Sequence, residues 1–210
     1  MQRVVILGPE TGVSQISAIL VRLPPHHEFS MHTHPRAEDC FFVISGEGEV
    51  FEPDRRLSLS ASTGVWIPPG VPHGLAAGAS GVLEIGFQSP PDPTAVPYDA
   101  AADGNAPRGF LTAQLPGEAD ARWYPTFPHR TAWQHLDPYS CTLNHGQSVS
   151  AEAADCELLI VVVRGAVEVQ ALGANVEAIA ALHLGPTEIT EVRARRDSTV
   201  LLGIRARPMT

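Results

Sequence analysis

The sequence predicts an all-β chain, built as two tandem β-sandwich or barrel domains joined by a Pro-rich linker. Three observations carry this. The 19 prolines and 18 glycines of the 210-residue chain are spread along it and interrupt it every few residues. Between them lie short runs rich in Val, Ile, Leu and Phe, the evenly spaced pattern of a sandwich or barrel rather than of helices. Finally, the two halves echo each other. Asp39-Cys40-Phe41-Phe42-Val43-Ile44-Ser45-Gly46 lines up with Leu158-Leu159-Ile160-Val161-Val162-Val163-Arg164-Gly165, Glu49-Val50 with Glu168-Val169, and Leu83-Glu84-Ile85-Gly86 with Val200-Leu201-Leu202-Gly203. An internal duplication of one β-domain accounts for all three matches.

The elements follow in order. Val4 to Leu7 reads as an edge strand or an arm packing on a neighbour. Ile16 to Leu23 is a strand ended by Pro24-Pro25, and Phe29 to His34 is the next. Asp39 to Ser45 follows, with Gly46-Glu47-Gly48 as a turn or bulge before the short strand Glu49 to Glu52. Pro53-Asp54-Arg55-Arg56 reads as a hairpin turn, Leu57 to Ser60 and Gly64 to Ile67 as strands, and Val82 to Gln88 as the closing strand. From Ser89-Pro90-Pro91-Asp92-Pro93 the composition changes to a polar, alanine-rich linker, with a helical turn expected over Ala100 to Asn105. Trp123, Tyr124, Phe127 and Trp133 then mark an irregular stretch packed on a domain. Strands return at Ser140 to Leu143, Leu158 to Val163, Ala166 to Ala171, Val176 to Leu182 and Thr199 to Arg205. The expected organisation is a first domain over 1–96, a linker or irregular packing segment over 97–131, and a second domain over 132–210.

Charge and composition remove several functional classes. A formal net charge of −9 argues against nucleic acid and anionic membrane as partners, since phosphate binding needs clustered Lys and Arg. The most basic stretch, Arg193-Ala194-Arg195-Arg196, is short and reads as a solvated strand end. Cys40, Cys141 and Cys156 form no CxxC pair and leave an odd count, so buried inert thiols in a reducing cytoplasm are expected. The N-terminal run has only four consecutive apolar residues, short of a signal peptide or a membrane span. No P-loop, GxGxxG after a strand, or GxSxG elbow is present.

The chemistry concentrates in His32-Thr33-His34 and Asp39. Residues i and i+2 of a strand share a face, so His32 and His34 present their imidazoles side by side. Pro35 favours a bend there, and the chain re-enters a strand with Asp39 close by. Pro68-Pro69-Gly70-Val71-Pro72 is a rigid turn that delivers His73 with little loss of entropy. Imidazole and carboxylate together suit a first-row transition metal.

On these residues the chain resembles the cupin superfamily. That family's first motif runs His-x-His, three or four residues, Glu, six residues, Gly, and here it reads His32-Thr33-His34, four residues, Asp39, six residues, Gly46. Its second motif, Pro-x-Gly-x-x-His, is matched by Pro68, Gly70 and His73. Asp39 stands where the family has Glu, a carboxylate shorter by one bond of about 1.5 Å. The resemblance is strong over residues 15–88 and extends weakly to 132–206. It implies two jelly-roll barrels and one divalent metal per chain at His32, His34, Asp39 and His73, iron first, with manganese, nickel, copper or zinc as alternatives. In the second half Ala151, Ala153, Leu158 and Thr190 occupy the ligand positions, so a degenerate twin serving stability or dimerisation is expected.

Other candidates are weaker. Glu84 interrupts an apolar strand: pointing inward it is a candidate general base, pointing outward a solvated strand residue, and the outward reading is preferred. Trp66 and Phe41 are expected as pocket walls. His26 and His27 read as loop residues near the rim, and His129, His135, His145 and His183 as structural or exposed. The function that follows from the resemblance is a metalloenzyme on a small organic molecule, dioxygenase-type oxidation favoured. Isomerase, cyclase or decarboxylase chemistry, or a non-catalytic small-molecule binder, stand as alternatives. A homodimer is expected from the exposed sheet edges, with Val4 to Leu7 as a candidate cover.

Overall fold

A computed structural model describes the chain except for residues 93, 100, 102–106, 108, 128–134 and 208–210. His129, Trp133 and most of the expected helical turn over Ala100 to Asn105 lie outside the described residues. The described chain is all-β, with antiparallel pairing throughout and two single-turn 3₁₀ segments, Pro9–Thr11 and Gln170–Leu172. Among the described residues no helix is long and apolar enough to cross a membrane. Two compact units divide it, Met1–Gln114 and Leu115–Thr210.

The first unit contains strands β1 (Gln2–Leu7), β2 (Ser17–Leu23), β3 (Glu28–Thr33), β4 (Glu38–Glu52), β5 (Arg55–Ser60), β6 (Thr63–Ile67), β7 (His73–Ser89), β8 (Val96–Pro97) and β9 (Leu111–Gln114). They are neighbours in the order β1-β2-β7-β4-β6-β9, with β3 also on β7, β8 on β3 and β5 on β4. Two long strands organise it. The first part of β4, through Val43, pairs with β6 and with the last part of β7, whereas its second part pairs with β5 and with the start of β7. The register shifts twice between Val43 and Gly48. Gly46 makes this corner possible. Its φ is +90°, and a Cβ there would lie 2.0 Å from the Gly81 carbonyl oxygen. Only glycine meets both demands, as expected where a bulge bends a strand from one layer into the other. The sequence pattern broke β4 at Gly46-Glu47-Gly48 and recognised β7 only from Val82. The alanine- and glycine-rich 73–81 stretch lacks the run of large apolar residues that marks a strand, yet it pairs with both β3 and β4.

The second unit contains β10 (Tyr124–Pro125), β11 (Leu136–Leu143), β12 (Ser148–Glu152), β13 (Glu157–Arg164), β14 (Ala166–Val169), β15 (Ala174–Glu177), β16 (Ala180–Leu184), β17 (Ile189–Ala194) and β18 (Thr199–Ala206). Its two sheets run β10-β11-β18-β13-β16 and β12-β17-β14-β15. The neighbour relations β2-β7-β4-β6 and β3-β7-β4-β5 of the first unit are thus repeated, with each long strand divided in two. Gly165, at φ +94°, separates β13 from β14 where Gly46 bends β4. The duplication seen in sequence is therefore a duplication of strand topology. Residues 97–131, read as linker, supply β9 to the edge of the first unit's sheet through β6, and β10 to the second unit through β11.

Each unit has its own core. In the first, Ile19, Val21, Phe41, Val43, Val50, Val65 and Leu75 face one another between layers. In the second, Cys141, Leu158, Ile160, Val162, Val192 and Leu201 do so. All three cysteines are free and buried, and burial raises the Cys141 thiol to about 12, so it stays protonated. The basic stretch ends β17 as a solvated strand end, where Arg195 pairs with Glu168 and Arg196 with Glu177 at 3.2 Å.

Candidate metal centre

The site is built by the strand pairing of the first unit. His32 on β3 lies directly across from His73, the first residue of β7. His34 follows β3, and its carbonyl accepts the Gly70 N–H at 2.8 Å, which ties the proline-rich turn to the His-x-His segment. Asp39, near the start of β4, pairs with Gln88 of β7 on one side and Ile67 of β6 on the other. Period-two alternation then sends Asp39, Phe41 and Val43 inward and Cys40 and Phe42 to the other face.

All three imidazoles are buried and held in one orientation. Nδ1 of His32 lies 2.9 Å from the Ser30 carbonyl oxygen, Nδ1 of His73 2.9 Å from that of Val71, and Nδ1 of His34 3.1 Å from that of Thr94. A carbonyl only accepts, so each Nδ1 carries the proton and each Nε2 keeps its lone pair. This is the arrangement by which neighbours fix the tautomer of a metal-ligating histidine. The ring centroids are 4.4 Å apart for His32 and His73, 4.9 Å for His32 and His34, and 5.5 Å for His34 and His73. The three side chains offer ligand atoms within 4.8 Å of one another. Metal–nitrogen bonds of about 2.1 Å require donors roughly 3–4 Å apart, so a small closure of the trio suffices. Asp39 stands beside the trio, its Oδ2 3.6 Å from Nε2 of His34 and 3.5 Å from Nε2 of His73.

The electrostatics match a cation site. Burial, and then the neighbouring His73, lowers the His32 imidazole to about 4, so it is neutral at physiological pH. Burial alone would raise Asp39, but the adjacent imidazoles of His73 and His34 outweigh it and hold the carboxyl below its ordinary value. Three imidazole nitrogens and one carboxylate fit a divalent first-row ion.

The four residues line a cavity of about 60 Å³ whose walls include Ile19, Val21, Phe29, Phe41 and Leu75. Phe41 is a wall as expected, but Trp66 is not. It pairs with Cys40 and so lies on the face opposite Asp39. Glu84 also differs from the preferred outward reading. It is 7% exposed, lines the cavity, and its Oε2 has no hydrogen-bond partner among the described residues. It pairs with Val43, two residues along from Phe41 and four from Asp39, which is the inward face of β4. Burial, and then the Asp39 charge, raises its carboxyl to about 8.

Gln88 was passed over by sequence reasoning. Its Nε2 donates to Nε2 of His34 at 3.0 Å, which places it against the lone pair a metal would use. The signal was available: Glu84, Gly86 and Gln88 share the inward face of the closing strand. His26 and His27 are exposed loop residues, and His145 is exposed. His183 is half-buried on β16.

In the second unit Ala151 lies across from Thr190 as His32 does from His73, and Leu158 across from Arg205 as Asp39 does from Gln88. The ligand positions inferred by alignment are therefore structurally equivalent and carry no donor set. Among the described residues, His32, His34 and His73 form the one cluster of three or more donors able to hold a metal.

Residues 19–85 match the family model described as a cupin domain. No curated protein matches the chain in sequence. Solved structures with a similar fold include the bacterial pirin YhhW from Escherichia coli in complex with nickel(II), 17% identical at a TM-score of 0.74, covering 99% of this chain and 92% of that one. Protein Ylba from E. coli is 13% identical with a TM-score of 0.71 over 99% of this chain and 84% of its own. A mutant of Bacillus subtilis oxalate decarboxylase is 12% identical with a TM-score of 0.70, over 95% and 71%. At these identities the likeness shows the fold.

Proposed function

We propose, on the cupin-domain match over residues 19–85, that the first unit is a metal-dependent enzyme acting on a small organic molecule, with dioxygenase-type oxidation as the favoured reaction. The observation that carries this reading is the convergence of three Nε2 atoms and one carboxylate on the wall of a largely apolar cavity. His32, His34 and His73 would hold the ion, and Asp39 would complete the set with a negative charge. A bound first-row ion, iron first and manganese, nickel, copper or zinc after it, supplies Lewis acidity toward a substrate oxygen and, if redox-active, access to dioxygen chemistry.

The protein's own residues supply the rest. Ile19, Val21, Phe29, Phe41 and Leu75 keep bulk water from the reacting atoms, which strengthens every charge interaction inside. The cavity, of about 60 Å³, suits a small organic substrate. Glu84, neutral at pH 7 and aimed into the cavity, can hold a proton for delivery to substrate. The same residue favours a second reading, in which the metal acts only as a Lewis acid and Glu84 as the acid/base of an isomerase, cyclase or decarboxylase.

The partner proposed is a small molecule rather than nucleic acid or membrane, in keeping with the net charge of −9. Three free thiols fit a reducing cytoplasm. A homodimer through β1, whose Val4 and Val5 are exposed on an edge strand, completes the proposal. The test is elemental analysis of anaerobically purified protein, followed by oxygen uptake with small diketones and hydroxy acids. About one transition-metal ion per chain is expected, lost in His34→Ala. Metal-free protein whose stability His34→Ala leaves unchanged would sink the metalloenzyme reading. Metal with turnover but no oxygen uptake selects the Lewis-acid reading.

A further inference from the structure

The second unit holds a cavity of about 230 Å³ at the place equivalent to the metal cavity of the first. The equivalence follows from pairing. Tyr139 lies across from Gly203 as Ile19 does from Gly86, and Leu158 lies across from Arg205 as Asp39 does from Gln88. Each position that gives the first cavity its affinity for a cation has changed: Ala151 for His32, Leu158 for Asp39, and Leu201 for Glu84, while the Gln88 position has become Arg205. The ligand positions of the first cavity have been replaced by a guanidinium with aromatic and aliphatic neighbours, while the exposed Ser150 and Glu152 also line the cavity and Asp137 pairs across from Arg205.

The polar atoms of those walls are already engaged. Trp123 donates its Nε1–H to the Ser150 carbonyl at 2.8 Å, and Tyr139 donates its hydroxyl to Oδ2 of Asp137 at 2.7 Å. Their rings, with Ala151 and Leu158, form the apolar part of the cavity wall. Trp123 packs so closely on the sheet that a Cβ on Gly203 would lie 3.2 Å from its ring, so the glycine lets the indole lie there. Arg205 is half-buried, with its guanidinium carbon 5.3 Å from the Tyr139 ring centroid and one Nη2–H donated to the Glu152 carbonyl at 3.1 Å. Among the described residues no carboxylate lies within ion-pair distance of it, whereas Arg195 and Arg196 on the same unit each have one. A guanidinium has five N–H donors in a planar fork that suits a carboxylate.

We propose that this cavity, walled by the ring faces of Trp123 and Tyr139 with Arg205 at its edge, is a metal-independent binding site for a small organic carboxylate with a planar apolar body. The fork of Arg205 takes the carboxylate, and the rings take the flat body. The second unit is then a binding module in its own right, and this reading is independent of the chemistry in the first.

The test uses the full chain as His34→Ala in the presence of chelator, so that the first cavity cannot take the anion through a metal. Benzoate is titrated and followed by calorimetry and tryptophan fluorescence. Saturable binding is expected, weakened about tenfold or more in Arg205→Met and for the neutral probe benzamide. Arg205→Lys, which keeps the charge and loses the fork, is expected to fall between, with thermal unfolding unchanged. If Arg205→Met fails to fold, the Lys variant carries the comparison. No saturable binding up to about 10 mM, binding unaffected by either Arg205 variant, or inorganic phosphate binding as tightly as benzoate overturns the proposal.

Discussion

Replacing Glu84 by Gln should stabilise the metal-free first unit, and increasingly so as pH rises. The carboxyl is buried beside Asp39, and its Oε2 has no hydrogen-bond partner among the described residues, so ionising it in the folded state is costly. Its value is raised from 4.5 to about 8. A group raised in this way contributes its stability below pH 4.5, where folded and unfolded chains are both protonated. That contribution is lost as pH rises through 8, because the unfolded chain releases the proton first. At about 1.4 kcal/mol per unit, the loss is about 3 kcal/mol by pH 7 and about 5 kcal/mol above pH 8. Glutamine keeps the shape and cannot ionise, so the difference between variant and wild type should grow by these amounts from pH 4.5 upward. Against a typical total of about 5–15 kcal/mol this is a large share. The assay is urea unfolding of chelator-treated protein at several pH values. Trp66, buried in the first unit, serves as reporter in a background with Trp123 and Trp133 changed to Phe. His32 titrates in both proteins and cancels in the difference. A difference that stays flat between pH 5 and 8.5 would refute the claim that the fold keeps Glu84 neutral.

Three further outcomes follow from the same geometry. Gly46→Ala should cost more than about 3 kcal/mol or abolish folding, since its Cβ would lie 2.0 Å from the Gly81 carbonyl at a φ of +90°; circular dichroism and thermal melts check this. Chelator-treated protein carrying Glu84→Gln should lose stability as pH falls from 6.5 to about 4, because the unfolded chain protonates His32 while burial keeps the folded imidazole neutral. The loss is about 3 kcal/mol, read from urea midpoints, and is absent in His32→Phe. Gln88→Ala removes the donor that occupies the His34 lone pair and should tighten metal binding about fivefold, the worth of one hydrogen bond of about 1 kcal/mol, measured by competition with a chelating dye.

The sequence by itself determined the all-β class, the duplicated strand pattern, and the histidine and carboxylate cluster of the first half. These are properties of local spacing: period-two alternation places His32 and His34 on one face, and a proline-fixed turn delivers His73. It also foretold that Ala151, Ala153, Leu158 and Thr190 stand where the ligands were, because alignment of the halves needs no coordinates. Only the tertiary structure decided what depends on which strand lies beside which. Gly46-Glu47-Gly48 looked like the end of a strand, and the structure makes it the bend by which β4 serves two layers. Glu84 reads from sequence as a solvated strand residue, and only its register against Val43 turns it inward to Asp39 and the metal cavity. Gln88 and Arg205 carry only the weak signal of their strand parity, since a lone Gln or Arg on a strand is ordinary. Their meaning comes from the residues across from them, Asp39 and Leu158, about fifty residues away in the chain. Which face a strand buries is a local pattern that sequence records. Which groups meet inside a barrel is a matter of register between distant strands, and only packing fixes that.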